Sequence, residues 1–145
     1  MTNTGKRLAE KAAKCGTNII LEPLRHQETP FLRLVADGAA IARDIGKGAT
    51  VMADFWHMSI EEPNFMGAII SGGKYLSHVQ ITSLRRRSVP GMDGAADNYI
   101  EGFRALKMIG YQGAIGYEGA IPRGMDAHFL YTRMSKLIRE QWEMA

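Results

Sequence analysis

The stretch that decides the fold is Met52-Ala53-Asp54-Phe55-Trp56-His57-Met58-Ser59-Ile60-Glu61-Glu62. The apolar run 49–53 stops abruptly at the carboxylate of Asp54, and His57 follows three residues later. Parallel α/β sheets carry their functional side chains at the carboxyl ends of the strands. We therefore expect Asp54 to lie at the mouth of such a sheet. Taken alone, the stretch also fits a helix-capping Asp54 and a surface His57.

Two further predicted strands end in an acid. The short strand 17–21 leads to Glu22, and the strand 114–117 leads to Glu118. We predict strands over 17–22, 49–54, 76–82 and 114–118. Three acids at strand ends are harder to explain as helix caps than one, so we expect Glu22, Asp54 and Glu118 to form a cluster.

Helical segments alternate with these strands. Apolar periodicity predicts helices over 6–14, 30–45, 98–108 and 126–143. Ser59 followed by Glu62 is typical of a capping box, which predicts a further helix from 59 to about 70. A helix followed by four strand–helix units indicates a single α/β domain over 1–145 with a parallel sheet.

Composition excludes several classes of protein. The 145-residue chain is 46% hydrophobic and 23% charged, with a formal charge of +3. Its single cysteine, Cys15, allows no internal disulfide and fits a reducing compartment. The sequence shows no signal-peptide pattern and no run of about 20 apolar residues, so we expect a cytoplasmic protein without membrane contact. The triplet Arg85-Arg86-Arg87 lacks the interleaved aromatics of a nucleic-acid-binding surface.

Four segments, in order, resemble motifs of the sugar isomerase/epimerase TIM-barrel family. This xylose isomerase-like family includes ketose 3-epimerases and hydroxypyruvate isomerase. Residues 21–29 are similar to its LEPLNRYET motif, and 52–62 to LDTFHMNIEE. Residues 77–91 resemble its GHVHLADSNR…PG segment, and 109–118 resemble IGYDGYVSLE.

This resemblance implies only the second half of a barrel. A (β/α)8 barrel needs about 250 residues, and the matching segments correspond to strands five to eight. The implied fold is therefore a (β/α)4 half of a TIM barrel. The chain begins with methionine, and we expect a natural half-barrel that pairs with a second copy of itself. A different chain that supplies strands one to four is the alternative.

The resemblance also implies a divalent cation, which is manganese, magnesium or cobalt in the family. The matching ligand positions are Glu22, Asp54, Gln80 and Glu118. The family has histidine where this chain has Gln80. An amide oxygen suits a hard cation better than a soft one, which favours magnesium or manganese.

The implied reaction is proton transfer beside a carbonyl, through an enediolate, in a small ketose or hydroxy-carbonyl compound. Glu22 and Glu118 match the two glutamates that act as acid and base. The implied substrate-binding residues are His57, Arg86, Glu28 and Trp56.

Two other functions stay open. Gln80 in the histidine position favours a non-catalytic half-barrel that binds a ligand and pairs with itself or another chain. A nuclease with the same fold is weaker, because such chemistry uses several metals and more histidines than the four in this chain.

Overall fold

A computed structural model describes residues 2–145 of the chain. The strands are β1 (Ile19–Leu21), β2 (Ala49–Asp54), β3 (Leu76–Ile81) and β4 (Ile115–Tyr117). The helices are α1 (Thr2–Lys14), α2 (Val35–Ile45), α3 (Phe55–Glu61), α4 (Phe65–Gly72), α5 (Ile100–Met108) and α6 (Ala127–Met144). Short 3₁₀ turns cover Gly73–Tyr75 and Gly94–Ala96.

The four strands form one parallel sheet in the order β1-β2-β3-β4. Each strand thus pairs with the next one along the chain, as consecutive strands of a TIM barrel do. This arrangement confirms the expected α/β half-barrel. The β2–β3 pairing is irregular between Val51 and Met52, where the register shifts.

The helices cover one face of the sheet and leave the other open. Alternate strand residues, among them Val51, Ala53, Val79 and Ile81, pack into a core with apolar residues of α2 to α5. The opposite positions define what we call the inner face, which carries Ile20, Thr50, Met52, His78 and Gln80. In a closed barrel this face would line the interior.

The structure corrects the prediction of one helix over 59–70. Residues 55–72 form two helices, because Pro63 has no backbone N–H to continue α3. The first begins directly after Asp54, whose side chain accepts a hydrogen bond from the Trp56 N–H at 2.8 Å. The Ser59 hydroxyl instead donates to the Trp56 carbonyl at 2.7 Å, so it does not form the expected capping box.

The helix predicted from Pro30 begins later, at Val35. The Val35 N–H, which is unpaired within the first turn of the helix, donates to Glu62 Oε1 at 2.8 Å. Glu62 therefore joins the start of α2 to the link between α3 and α4, and residues 22–34 stay irregular above the rim of the sheet.

Over residues 2–145, none of the helices combines the length and apolarity that a membrane crossing requires.

Candidate active site

The predicted ligand and acid–base residues converge at the carboxyl ends of the strands. Asp54 ends β2 and lies beside Gln80 of β3 in the sheet register. Glu22 directly follows β1, and Glu118 directly follows β4. Because the strands are parallel, all four residues occupy one rim of the half-barrel.

Asp54 is the most deeply buried carboxylate of this rim, with 1% of its surface exposed. One oxygen caps α3, and the other, Oδ2, has no hydrogen-bond partner among residues 2–145. Burial raises the pKa of Asp54 to about 6, although the Trp56 N–H and the charge of Arg87 oppose the rise.

Glu22 lies across the rim from Asp54 with its side chain one third exposed. Partial burial raises the pKa of Glu22, and the negative charges of Glu118 and Asp54 raise it further. Oxygens of Glu22 and Asp54 and a ring nitrogen of His57 lie within 4.8 Å of one another. Such spacing is compatible with a common bound atom.

The proton on the buried ring of His57 can be assigned from its neighbours. Nδ1 accepts a hydrogen bond from the Arg25 backbone N–H at 3.1 Å, so the proton of the neutral ring resides on Nε2. Nε2 lies 3.7 Å from Asp54 Oδ2 and 3.8 Å from Glu22 Oε1. Burial lowers the pKa of His57, as does the positive charge of Arg87, which keeps the ring neutral. Nε2 is thus a hydrogen-bond donor aimed into the cluster, and it is poorly suited to ligate a metal.

Unpaired oxygens show what the rim can hold. Within the described chain, Asp54 Oδ2 and Gln80 Oε1 are buried without a hydrogen-bond donor. Buried acceptors normally have a donor or a cation beside them. A carboxylate and an amide oxygen, flanked by Glu22 and Glu118, form an oxygen-rich set of the kind that hard divalent cations prefer. The residues therefore fit the implied cation.

Arg87, rather than Arg86, enters this cluster. Arg87 Nη2 donates to Glu118 Oε2 at 2.7 Å and lies 3.8 Å from Asp54 Oδ2. Arg86 points away: its side chain is 70% exposed and pairs with Asp93 at 3.0 Å. The substrate-binding role expected of Arg86 therefore stays a prediction, and Arg87 is the arginine that the structure places in the cluster. The cause is a tight loop in which Arg87 has a φ of +50°, which the sequence alone does not reveal.

Trp56 is buried, and two guanidinium groups lie over its ring. The Cζ atoms of Arg25 and Arg87 lie 4.4 Å and 4.6 Å from its ring centre. Glu28 joins the same pair of arginines, with its Oε1 at 2.7 Å from Arg25 Nε and 3.7 Å from Arg87 Nη1. Trp56 and Glu28 therefore hold the arginines at the rim. Sequence reasoning missed Arg25, although its place between Glu22 and Glu28 in the first motif was a usable signal.

Comparison with protein families gives a match over almost the whole chain. The family described as "Xylose isomerase-like TIM barrel" matches residues 5–141. A D-psicose 3-epimerase of Agrobacterium fabrum is 36% identical over 118 residues, which cover 81% of this chain and 40% of that protein. A 3-dehydro-D-guloside 4-epimerase of Escherichia coli is 35% identical over 115 residues, which cover 79% and 43%.

Solved structures agree with the fold. A D-psicose 3-epimerase crystallised in the presence of D-fructose superposes with a TM-score of 0.86 at 27% identity, covering 97% of this chain and 55% of that one. A 3-keto-D-glucoside 4-epimerase of E. coli gives 0.84 at 29% identity, covering 96% and 52%. The chain therefore spans about half of the barrels that it resembles.

Proposed function

The chain belongs to the xylose isomerase-like TIM-barrel family, and we therefore propose that it contributes an isomerase or epimerase site for a ketose or related polyhydroxy carbonyl compound. The observation that supports this proposal most is the position of Glu22 and Glu118. They follow the two outer strands of the sheet at the same rim, with buried Asp54 and Gln80 between them. Two carboxylates on either side of a bound substrate are what transfer of a proton from one position to another requires.

The surroundings of Glu22 suit a general base. A base works best when its pKa approaches the working pH, and burial together with neighbouring carboxylates moves the pKa of Glu22 upwards. Glu118 accepts a hydrogen bond from Arg87 at 2.7 Å, which fixes its orientation. We propose that one glutamate removes the proton beside the carbonyl and that the other delivers a proton to the resulting enediolate.

Other residues of the rim would hold the substrate. His57 Nε2 and Arg87 can donate hydrogen bonds to substrate oxygens, and Trp56 supplies an apolar surface beside them. Glu28 acts through Arg25 and Arg87, which it holds in place. Arg87 takes the substrate-binding role that the family resemblance implied for Arg86.

Glu22, Asp54, Gln80 and Glu118 would hold a magnesium, manganese or cobalt ion. When bound, such an ion polarises a carbonyl group and stabilises negative charge on its oxygen. The unpaired oxygens of Asp54 and Gln80 support this part of the proposal.

We also propose that a second copy of this chain closes the barrel. Both outer strands are short and parallel to each other, so a two-fold axis along the barrel would pair β4 of each copy with β1 of the other. The inner-face residue Ile20 is 43% exposed in the single chain. A complementary half-barrel chain is the alternative occupant.

Hydrogen exchange into a ketose tests the proposed reaction. We expect the manganese-supplemented protein to incorporate solvent deuterium beside the carbonyl of D-fructose or D-psicose, measured by NMR in D₂O. Glu118→Gln should slow incorporation by about 10²-fold or more, since it removes a proton-transfer group. Glu10→Gln, on an exposed face of α1, is the matched control and should exchange at the wild-type rate. Equal rates for Glu118→Gln and Glu10→Gln would reject the mechanism.

A non-catalytic, ligand-binding half-barrel is the second candidate, and Gln80 in the histidine position favours it. This candidate predicts that added metal neither supports exchange nor raises the melting temperature of the protein.

A further inference from the structure

The cation site proposed above already contains a positive charge supplied by the chain itself. Arg87 Nη2 lies 2.7 Å from Glu118 Oε2 and 3.8 Å from Asp54 Oδ2. Glu118 and Asp54 are two of the four proposed ligands. Carboxylate oxygens of Glu22 and Asp54 and a ring nitrogen of His57 lie within 4.8 Å of one another. Glu118 is not part of this group, and it pairs with the guanidinium instead.

The backbone around Arg87 fixes its position. Its N–H donates to the Ser83 carbonyl at 3.2 Å, and its carbonyl accepts from the Ala120 N–H at 3.2 Å, which joins this loop to the segment after β4. The φ of +50° is costly for a residue with a side chain, and it persists only where surrounding contacts enforce it.

Two acids hold the rest of the loop. Asp97 accepts hydrogen bonds from the N–H groups of Leu84, Gly91 and Asp93 at 2.6–3.1 Å. Asp93 accepts from the N–H groups of Arg85 and Arg86 at 2.9 Å and 3.1 Å. A strained backbone held by this many bonds presents the Arg87 guanidinium at a defined place on the rim.

The side chain of Arg87 is restrained as well. It stacks on Trp56 at 4.6 Å and lies 3.7 Å from Glu28. These contacts limit the swing of the guanidinium away from Glu118, although 30% of the side chain remains exposed.

We propose that Arg87 is an internal counter-cation that competes with the divalent metal for Glu118 and Asp54, and so sets the metal affinity of the site. This inference rests on the proposed function. A metal that binds all four ligands would share the carboxylate of Glu118 with the guanidinium or displace it, and it would lie close to a second positive charge. Both effects weaken metal binding.

Competition of this kind couples metal binding to substrate binding. A polyhydroxy carbonyl compound offers oxygens that can accept the donors of Arg87 in place of Glu118. The release of Glu118 then completes the metal ligand set. The metal should therefore bind more tightly when such a ligand is present.

Metal titration of arginine variants tests this inference without any activity assay. The dissociation constant for Mn²⁺ would be measured by calorimetry on the metal-free full-length chain. We expect Arg87→Gln to bind Mn²⁺ at least about tenfold more tightly than wild type, because it removes the competing charge. Arg87→Met, which keeps an unbranched chain beside Trp56, should show the same gain and serves if the glutamine variant does not fold. Arg87→Lys keeps the charge but loses the planar guanidinium that stacks on Trp56, so its gain in Mn²⁺ affinity should be smaller than that of Arg87→Gln.

Arg86→Gln is the matched control. It removes a neighbouring positive charge that lies outside the cluster, and its Mn²⁺ affinity should equal that of wild type. Affinities of the glutamine and methionine variants no tighter than that of Arg86→Gln would overturn the inference while leaving the proposed metal site intact. Absence of Mn²⁺ binding in every variant would overturn both the inference and the proposed metal site.

Discussion

Asp54 shows how one residue serves both folding and chemistry. Its Oδ1 caps the start of α3 by accepting a hydrogen bond from the Trp56 N–H. Within the described residues Oδ2 stays unpaired and faces the rim. An ionised carboxylate that is 1% exposed and incompletely paired destabilises the folded chain. The raised pKa of about 6 records that cost. A bound cation would remove it, so the fold and the proposed metal site depend on each other.

The variant Asp54→Asn measures how much the ionised Asp54 carboxylate lowers the free energy of unfolding. The pKa of Asp54 is higher in the folded chain than the ordinary 3.8, so its stabilising effect is complete below pH 3.8 and is lost as the pH rises through about 6. Asparagine carries no charge and still caps a helix. Without metal at pH 7, we expect the variant to have a free energy of unfolding about 1–3 kcal/mol higher than wild type. At pH 4 the difference should nearly vanish.

Urea unfolding in a chelating buffer at both pH values provides the comparison. Asp44→Asn, at an exposed aspartate that pairs with Arg43, is the control and should change little at either pH. Equal free energies of unfolding for Asp54→Asn and wild type at pH 7 would show that the ionised carboxylate does not destabilise the folded chain.

At the level of elements, the helix layer determines where the rim residues lie. Phe55, the first residue of α3, contacts the rings of Phe65, Tyr99 and Phe103 at centroid distances of 5.0–5.8 Å. Helix α5 approaches Phe55 at Gly102, where an added Cβ atom would clash with the Phe55 ring. This close approach fixes the residue directly after Asp54.

Gly102→Ala should therefore destabilise the protein. Alanine favours helix by about 0.5–1 kcal/mol over glycine, but the added methyl group must displace a buried ring. We expect a net loss of about 1–3 kcal/mol in the free energy of unfolding. Glu101→Ala, at the exposed neighbouring position, should stay within about 0.5 kcal/mol of wild type. Thermal or urea unfolding would be measured for both variants. An unchanged free energy of unfolding for Gly102→Ala would show that α5 does not pack so closely on Phe55.

The sequence predicted those elements that depend on local pattern. Segments ending in acids located three of the four strands, and the predicted ends of all four strands differ from the structure by at most two residues. The two helices over 55–72 were missed because Ser59 and Glu62 match a capping box, while Asp54 caps the chain five residues earlier. Arg87 was missed for another reason: three arginines in a row look alike in sequence, and only a backbone with positive φ at Arg87 directs that one to the rim.

At the level of the whole molecule, the main feature is the open half-barrel. Two copies in one barrel would bring six carboxylates, Glu22, Asp54 and Glu118 from each, into one mouth. Their repulsion needs compensation. Arg87 of each copy, together with bound cations, supplies positive charge at that place. Closure by a second copy is therefore electrostatically feasible as well as geometrically natural.

The inner face offers a variant that should prevent closure. Ile20 lies on the outer strand β1 and is 43% exposed. Glutamate at this position would place an additional charge inside the barrel, so we expect Ile20→Glu to lower the native mass to that of a single chain. Met108→Glu, at a 68% exposed position on α5, is the matched control and should leave the native mass unchanged.

The most direct test of the closed barrel is the native mass of the full chain, measured by light scattering behind a sizing column. One chain has a mass of 16.0 kDa. We expect twice that value, or a higher even multiple, for wild type and for Met108→Glu. A stable wild-type monomer would contradict closure by a second copy, and the other half of the site would then have to come from a different chain.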